Sequence, residues 1–194
     1  MDLINYLSGQ LNYQFNQQEI AVIMTYFTER KVLKKDFILR EGDVSKNLFV
    51  IQGALRMFYL DDNFKEYNLS FAFENFWMGD VDSFIHQSPT RLNIQAIENT
   101  KVCEISYANQ EKLLNQFQPM NKLFRNLVEK AFSLSNERVL NLISSTSIER
   151  YQSFLNRYKR YDNRLPDSYI ASYIGVTPEY YSKIKKEYIQ SILR

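Results

Sequence analysis

The chain turns on residues 167–187, DSYIASYIGVTPEYYSKIKKE. Ile170 and Ile174 lie one helical turn apart, with Ala171 beside them. Gly175 interrupts that pattern, Val176 follows, and Thr177-Pro178 opens a second segment whose apolar edge is Tyr181 and Ile184. Glycine takes the left-handed backbone that a tight inter-helix turn requires. Threonine caps a helix start, and the fixed φ of proline suits the first helical position. A small residue such as Ala171 lets two helices cross closely. The spacing therefore predicts a helix-turn-helix. Steps of four and three put Glu179, Lys183 and Lys186 on one outward stripe of its second helix. An ordinary helical hairpin packed on a core shares the apolar pattern. It does not call for Ala171, Gly175, Val176, Thr177-Pro178 and Ile184 at these offsets together, and the DNA-binding reading rests on that combination.

A chain of 194 residues holds one large domain or two small ones, and 45% hydrophobic content supplies a core and argues against disorder. Five glycines and four prolines leave no long flexible linker. The single cysteine, Cys103, rules out an internal disulfide framework and suits a reducing compartment. The single histidine, His86, rules out a His-rich metal site. The first thirty residues lack the basic-then-apolar pattern of a signal peptide, and no run approaches the roughly 20 apolar residues that span a bilayer. The expectation is a cytoplasmic protein with no membrane partner. An enzyme on a cupin-like roll would need a metal held by several histidines. No Gly-rich phosphate loop or nucleophilic triad signature is present either, so no enzymatic activity is expected.

The net charge of +2 is unevenly divided. Residues 147–194 hold nine Lys/Arg against five Asp/Glu, whereas residues 1–146 hold fifteen against seventeen. The basic excess lies with the helix-turn-helix, which fits an electrostatic attraction to phosphates.

Earlier in the chain, Asn16 and Glu19 form a capping-box signature ahead of Ile20, Ile23, Met24 and Phe27, predicting a helix over 16–27. From Val32 to Ile105 the texture becomes short apolar runs (37–39, 48–51, 55–60, 67–73, 94–97, 102–105) separated by turn signals such as Asp61-Asp62-Asn63. That spacing predicts an all-β sandwich or barrel. Cys103 falls in the last strand and reads as a buried thiol. Pro119 then opens a long helix to about Ser145 with two apolar stripes. Phe124, Leu127, Ala131 and Leu134 form one, expected on the chain's own β-domain. Val128, Phe132, Val139 and Leu142 form the other, expected on a second copy; the alternative is that both face one large core. Residues 147–164, with Arg150, Arg157 and Arg160 among Tyr151, Phe154 and Tyr158, predict a helix supporting the helix-turn-helix.

Taken in order, these segments resemble the Crp/Fnr family of bacterial transcription regulators over nearly the whole chain. The resemblance is carried by Glu41-Gly42-Asp43, Leu48-Phe49-Val50-Ile51 with Gly53, Trp77-Met78-Gly79-Asp80, Ala96, Cys103-Glu104-Ile105-Ser106-Tyr107, and 170–186. It implies an α+β architecture. An N-terminal double-stranded β-helix, a jelly roll of the cyclic-nucleotide-binding type, would occupy 1–118. A dimerisation helix would occupy 119–146, and a helix-turn-helix DNA-binding domain 147–194, without an evident wing hairpin. The implied function is sequence-specific DNA binding by a homodimer on a near-palindromic operator, modulated by an effector in the roll. The alternative is a small-molecule-binding roll whose helical tail contacts protein.

The resemblance also implies the site residues. On DNA these are Thr177 and Ser182 toward phosphates, Glu179 and Lys183 toward base edges, and Tyr180 and Lys186 beside them. Family members often carry arginine at the positions of Pro178 and Lys183. In the roll, the effector candidates are Gly79, Asp80, Val81, Thr90 and Arg91. Members that bind a cyclic nucleotide follow Gly-Glu with an Arg-Ser/Thr-Ala triplet. Here aspartate replaces the glutamate, Thr90 stands where the arginine is expected, and Arg91 comes one residue later, which turns a side chain to the other face of a strand. The cofactor is therefore left unassigned between a cyclic nucleotide and some other small molecule. One cysteine cannot hold an iron–sulfur cluster, and no metal is expected. The expected partners are duplex DNA and a second copy of the chain, with RNA polymerase and a small effector as further candidates.

Overall fold

Both faces of the run Leu48-Phe49-Val50 are buried, and this decides how the N-terminal part is layered. In a strand, neighbours point to opposite faces, so a continuous apolar run needs a cover on each side. The computed structural model describes residues 3–192. Helices α1 (Leu3–Leu11) and α2 (Gln17–Met24) precede strands β1 (Thr28–Val32), β2 (Phe37–Leu39), β3 (Asn47–Gln52), β4 (Leu55–Leu60), β5 (Glu66–Ala72) and β6 (Trp77–Met78). Helix α3 (Val81–His86), strands β7 (Asn93–Ala96) and β8 (Thr100–Ile105), and helices α4 (Tyr107–Gln116), α5 (Pro119–Ser144), α6 (Ser147–Tyr158), α7 (Asp167–Ile174) and α8 (Pro178–Ile192) follow.

The strands form two four-stranded sheets, β1-β8-β3-β6 and β2-β7-β4-β5. Leu48, Val50, Val102 and Val32 of the first share a core with Leu39, Leu55, Ile94 and Ala96 of the second. The other face of the first sheet, at Phe49, Cys103 and Ile105, packs with Leu3 and Leu7 of α1, Ile23 of α2, Leu113 of α4 and Met120, Leu123 and Phe124 of α5. Trp77 joins this layer at 5.3 Å from Phe49 and 5.4 Å from Phe124, ring centre to ring centre. Cys103 is buried there as a small apolar group.

The predicted helix at 16–27 is shorter than its sequence pattern. Asn16 caps it in a full capping box with Glu19, but regular helix ends at Met24. Strand β1 was invisible to hydrophobic pattern because its sequence is TERKV, exposed up to Val32. It is an edge strand, where charged side chains protect unpaired backbone. Strand β6 has only two residues.

The chain divides into two compact units, residues 1–59 with 70–129, and residues 60–69 with 130–194. The second unit thus takes the connection between β4 and β5. The stripe predicted to pack on the β-domain does so only in part. Phe124 is buried there and Leu127 is half-buried, whereas Ala131 is exposed and Leu134 lines a cavity of the second unit. The second stripe is exposed: Val128 at 46%, Phe132 at 68% and Val139 at 52%.

Candidate functional site

Helices α7 and α8 meet at Gly175, whose φ of 73° and ψ of 42° are left-handed. A Cβ there would meet Leu142 at an ordinary 3.6 Å, so backbone conformation and not crowding selects glycine. The turn closes as Val176 N–H donates to Ala171 O at 3.0 Å. Thr177 begins α8, its hydroxyl oxygen accepting from Tyr180 N–H at 3.3 Å and its carbonyl from Tyr181 N–H at 2.9 Å. Glu179 in the first turn titrates below its ordinary value, held there first by its own backbone N–H and then by the Thr177 side chain. A negative charge also suits this end of the helix dipole.

The inner face of α8 is fixed by aromatic packing. Tyr181 and Ile184 are fully buried. The Tyr151 ring of α6 lies 5.4 Å from Tyr181 and 5.4 Å from Tyr188, both edge-on. Phe154 and Tyr158 pack on Tyr173 of α7 at 5.6 and 5.8 Å. Burial pushes the Tyr181 phenol well above its ordinary range. Lys185 ties α8 to α7 through an ion pair with Asp167 at 3.0 Å. With one face committed, Thr177, Glu179, Tyr180, Ser182, Lys183 and Lys186 all remain on the exposed face. The Ser182 hydroxyl donates back to Pro178 O at 3.1 Å, so toward a ligand it offers oxygen lone pairs.

The effector candidates in the roll form a self-contained turn. Gly79 is required by close approach, since a Cβ would lie 2.8 Å from Lys46 O. Asp80 caps α3, one carboxylate oxygen accepting from Asp82 N–H at 3.2 Å and the other from the Thr90 hydroxyl at 2.6 Å. Thr90 is buried; its oxygen accepts from Leu92 N–H at 3.0 Å, and its backbone pairs with Gly42 and Asp43. Val81 is exposed. Arg91 is exposed with its guanidinium 5.6 Å from the Tyr59 ring, and among the described residues no hydrogen bond joins its side chain to Gly79, Asp80 or Thr90. The fold therefore joins Gly79, Asp80 and Thr90 and leaves Arg91 apart. A separate cavity of about 250 Å³ in the roll is lined by Leu39, Leu48 and Ile94, with buried Glu104 paired to Lys46 at 2.6 Å and Arg30 at 3.7 Å. Among the described residues no cluster of three or more His, Cys, Asp or Glu side chains is arranged to hold a metal. No described helix is long and apolar enough to cross a membrane.

Residues 29–117 match the cyclic nucleotide-binding domain family. The transcriptional activator FnrA of Stutzerimonas stutzeri is 26% identical, over 95% of this chain and 81% of its own length. The transcriptional activator Anr of Pseudomonas aeruginosa is 25% identical, over 84% of this chain and 70% of its own. The chain is similar to these transcriptional activators along most of its length. Among solved structures of like fold, FixK2 from Bradyrhizobium japonicum superposes with a TM-score of 0.73 at 20% identity, covering 85% of each chain. CooA from Carboxydothermus hydrogenoformans, a double mutant, gives 0.76 at 18% identity over 95% of this chain and 84% of that one.

The bonding roles of some polar residues escaped the sequence reading. Arg138 donates to the carbonyls of Leu69, Asn68 and Tyr173. Arg150 donates to Ile174 O at 2.7 Å and Ser145 O at 2.8 Å. Ser172 accepts from Asn68 N–H and donates to Glu66 O. One signal was available: Arg138 falls four residues after Leu134, where the helical stripe asks for an apolar side chain.

Proposed function

We propose that this protein is a homodimeric, sequence-specific DNA-binding transcription regulator with no catalytic role, working in the cytoplasm. The observation that carries the reading is the division of α8: Tyr181 and Ile184 are fully buried, and Lys183, Lys186, Glu179, Ser182 and Thr177 share the exposed side. In this reading Glu179 and Lys183 meet base edges in the major groove, while Thr177, Tyr180, Ser182 and Lys186 meet the phosphate backbone. The names of the relatives, transcriptional activators, support it. An activator works through RNA polymerase, which is then a further partner.

The exposed apolar residues of α5, Val128, Phe132, Val139 and Ile143, support dimerisation through that helix. Two copies of α8 related by a twofold axis would enter successive major grooves about 34 Å apart, on a near-palindromic site. We assign effector sensing to 1–118, dimerisation to 119–146 and DNA binding to 147–194. Gly79, Asp80, Val81, Thr90 and Arg91 are the effector face in this scheme. With Asp80 engaged by Thr90 and Arg91 remote, a cyclic phosphate lacks its usual guanidinium clamp, so the favoured effector is another small molecule. Such a molecule changes DNA affinity only by binding one state more tightly than another.

Selection of random duplexes by the full chain, followed by anisotropy titration of the enriched sites, tests this reading. Enrichment of a site with two half-sites one helical turn apart is expected. Uniform affinity for all sequences would refute it.

A further inference from the structure

The second unit contains a cavity of about 260 Å³ walled by α5, α6 and α7 and bordered by Arg138, Arg150, Arg157, Asn141, Ser153 and Asn156. No residue of α8 lines it, so it is separate from the stripe assigned to DNA. The three arginines form no ion pair among the described residues. Arg138 spends its donors on backbone carbonyls and lies 4.3 Å from the Tyr173 ring centre. Arg150 donates to two carbonyls and, at 3.3 Å, to the Ser147 hydroxyl. Carbonyls satisfy the N–H groups and leave the positive charge uncancelled. Arg157 lies 5.2 Å over the Tyr158 ring and makes no hydrogen bond among the described residues. Against three cations the wall supplies one acid, the exposed Glu137. Burial pushes the Arg138 guanidinium below its ordinary range, and the charge of Arg157 adds to that push.

Partly buried like charges without a counter-ion are costly, and an anion placed among them relieves the cost. Guanidinium forks match phosphate oxygens in pairs. We propose that this cavity is a binding site for a small phosphate-bearing anion, with Arg157 as its first contact and Arg150 and Arg138 behind it. Asn141, Ser153 and Asn156 supply neutral hydrogen-bonding groups around the same space. The volume suits a pyrophosphate or a small phosphate monoester, since pockets for larger ligands run from about 300 to 1,000 Å³. An anion that engages Arg138 competes with the Asn68 and Leu69 carbonyls, which couples occupancy to the 60–69 segment.

Calorimetric titration of the full chain with sodium pyrophosphate, at fixed ionic strength, tests this without DNA. One saturable site per chain is expected. Arg157→Gln should weaken it about tenfold or more, whereas Lys159→Gln, the same charge change at the C-cap of α6 and outside the cavity, should alter it less than about twofold. Glu137→Gln removes the opposing acid and should tighten binding severalfold, a gain that misfolding cannot mimic. Absence of saturable heat overturns the proposal. So does equal loss in Arg157→Gln and Lys159→Gln, or a Glu137→Gln variant that binds no more tightly.

Discussion

Gly175 and Lys183 lie eight positions apart and answer different questions. At φ 73° an L side chain is strained, so Gly175→Ala should cost about 1–2 kcal/mol in urea unfolding even though the new methyl has room. Lys183 should matter through bases. Lys183→Ala is expected to relax discrimination at one base pair by about 1–3 kcal/mol, whereas Lys186→Ala weakens all sequences alike. Binding profiles over a library of single-base operator variants separate the two. Acid sensitivity belongs to the caps. Glu149 accepts from Thr146 N–H at 2.7 Å and from the Thr146 hydroxyl at 2.8 Å, which holds its carboxyl below the ordinary 4.5. A depressed folded pKa means that the unfolded chain takes the proton first. The stabilisation is therefore complete above pH 4.5 and is lost as pH falls through the lower folded value. Glu149→Gln should flatten that acid limb in thermal melts taken from pH 5 downward.

At the scale of elements, α5 carries most of the consequence. It runs 26 residues, and its buried residues Met120, Leu123 and Phe124 all lie in its first turns. Beyond them Val128, Phe132, Val139, Leu140 and Ile143 are exposed, more apolar side chains than a solvated helix needs. Phe132→Glu should leave the fold intact, since Phe132 is 68% exposed, and should convert a sedimenting dimer into 23.2 kDa species. The two-stripe pattern of this helix was legible in sequence. That Arg138 sits within one stripe and donates to three carbonyls was not, because its acceptors Asn68 and Leu69 lie about seventy positions away. Likewise the strands with apolar runs were legible, while β1, TERKV, was hidden by its exposure at a sheet edge.

For the molecule as a whole, the charge division and the roll turn set what should be measured. The basic excess of 147–194 is modest, so DNA affinity should rest on dimerisation as well as charge. In the roll, the Asp80 carboxylate and the Thr90 hydroxyl are joined at 2.6 Å, so cyclic AMP or cyclic GMP would have to break an internal bond with no arginine in reward. Neither nucleotide is expected to raise the melting temperature of the full chain or to change its operator affinity. A saturable rise in either quantity would show that Arg91 reaches the turn after all.

By itself the sequence determined the local devices: the capping box at Asn16, the glycine turn at 175, the Thr177-Pro178 helix start, the buried edge of Tyr181 and Ile184, and the order of roll, long helix and helix-turn-helix. These follow from periodicity and from interactions within about four residues, which a linear reading captures. Tertiary structure alone decided that Asp80 is satisfied by Thr90, that the 60–69 segment belongs with 130–194, and that Arg138, Arg150 and Arg157 border one cavity without a matching set of acids. Those outcomes depend on groups distant in sequence whose charges and hydrogen bonds meet only when the chain closes on itself.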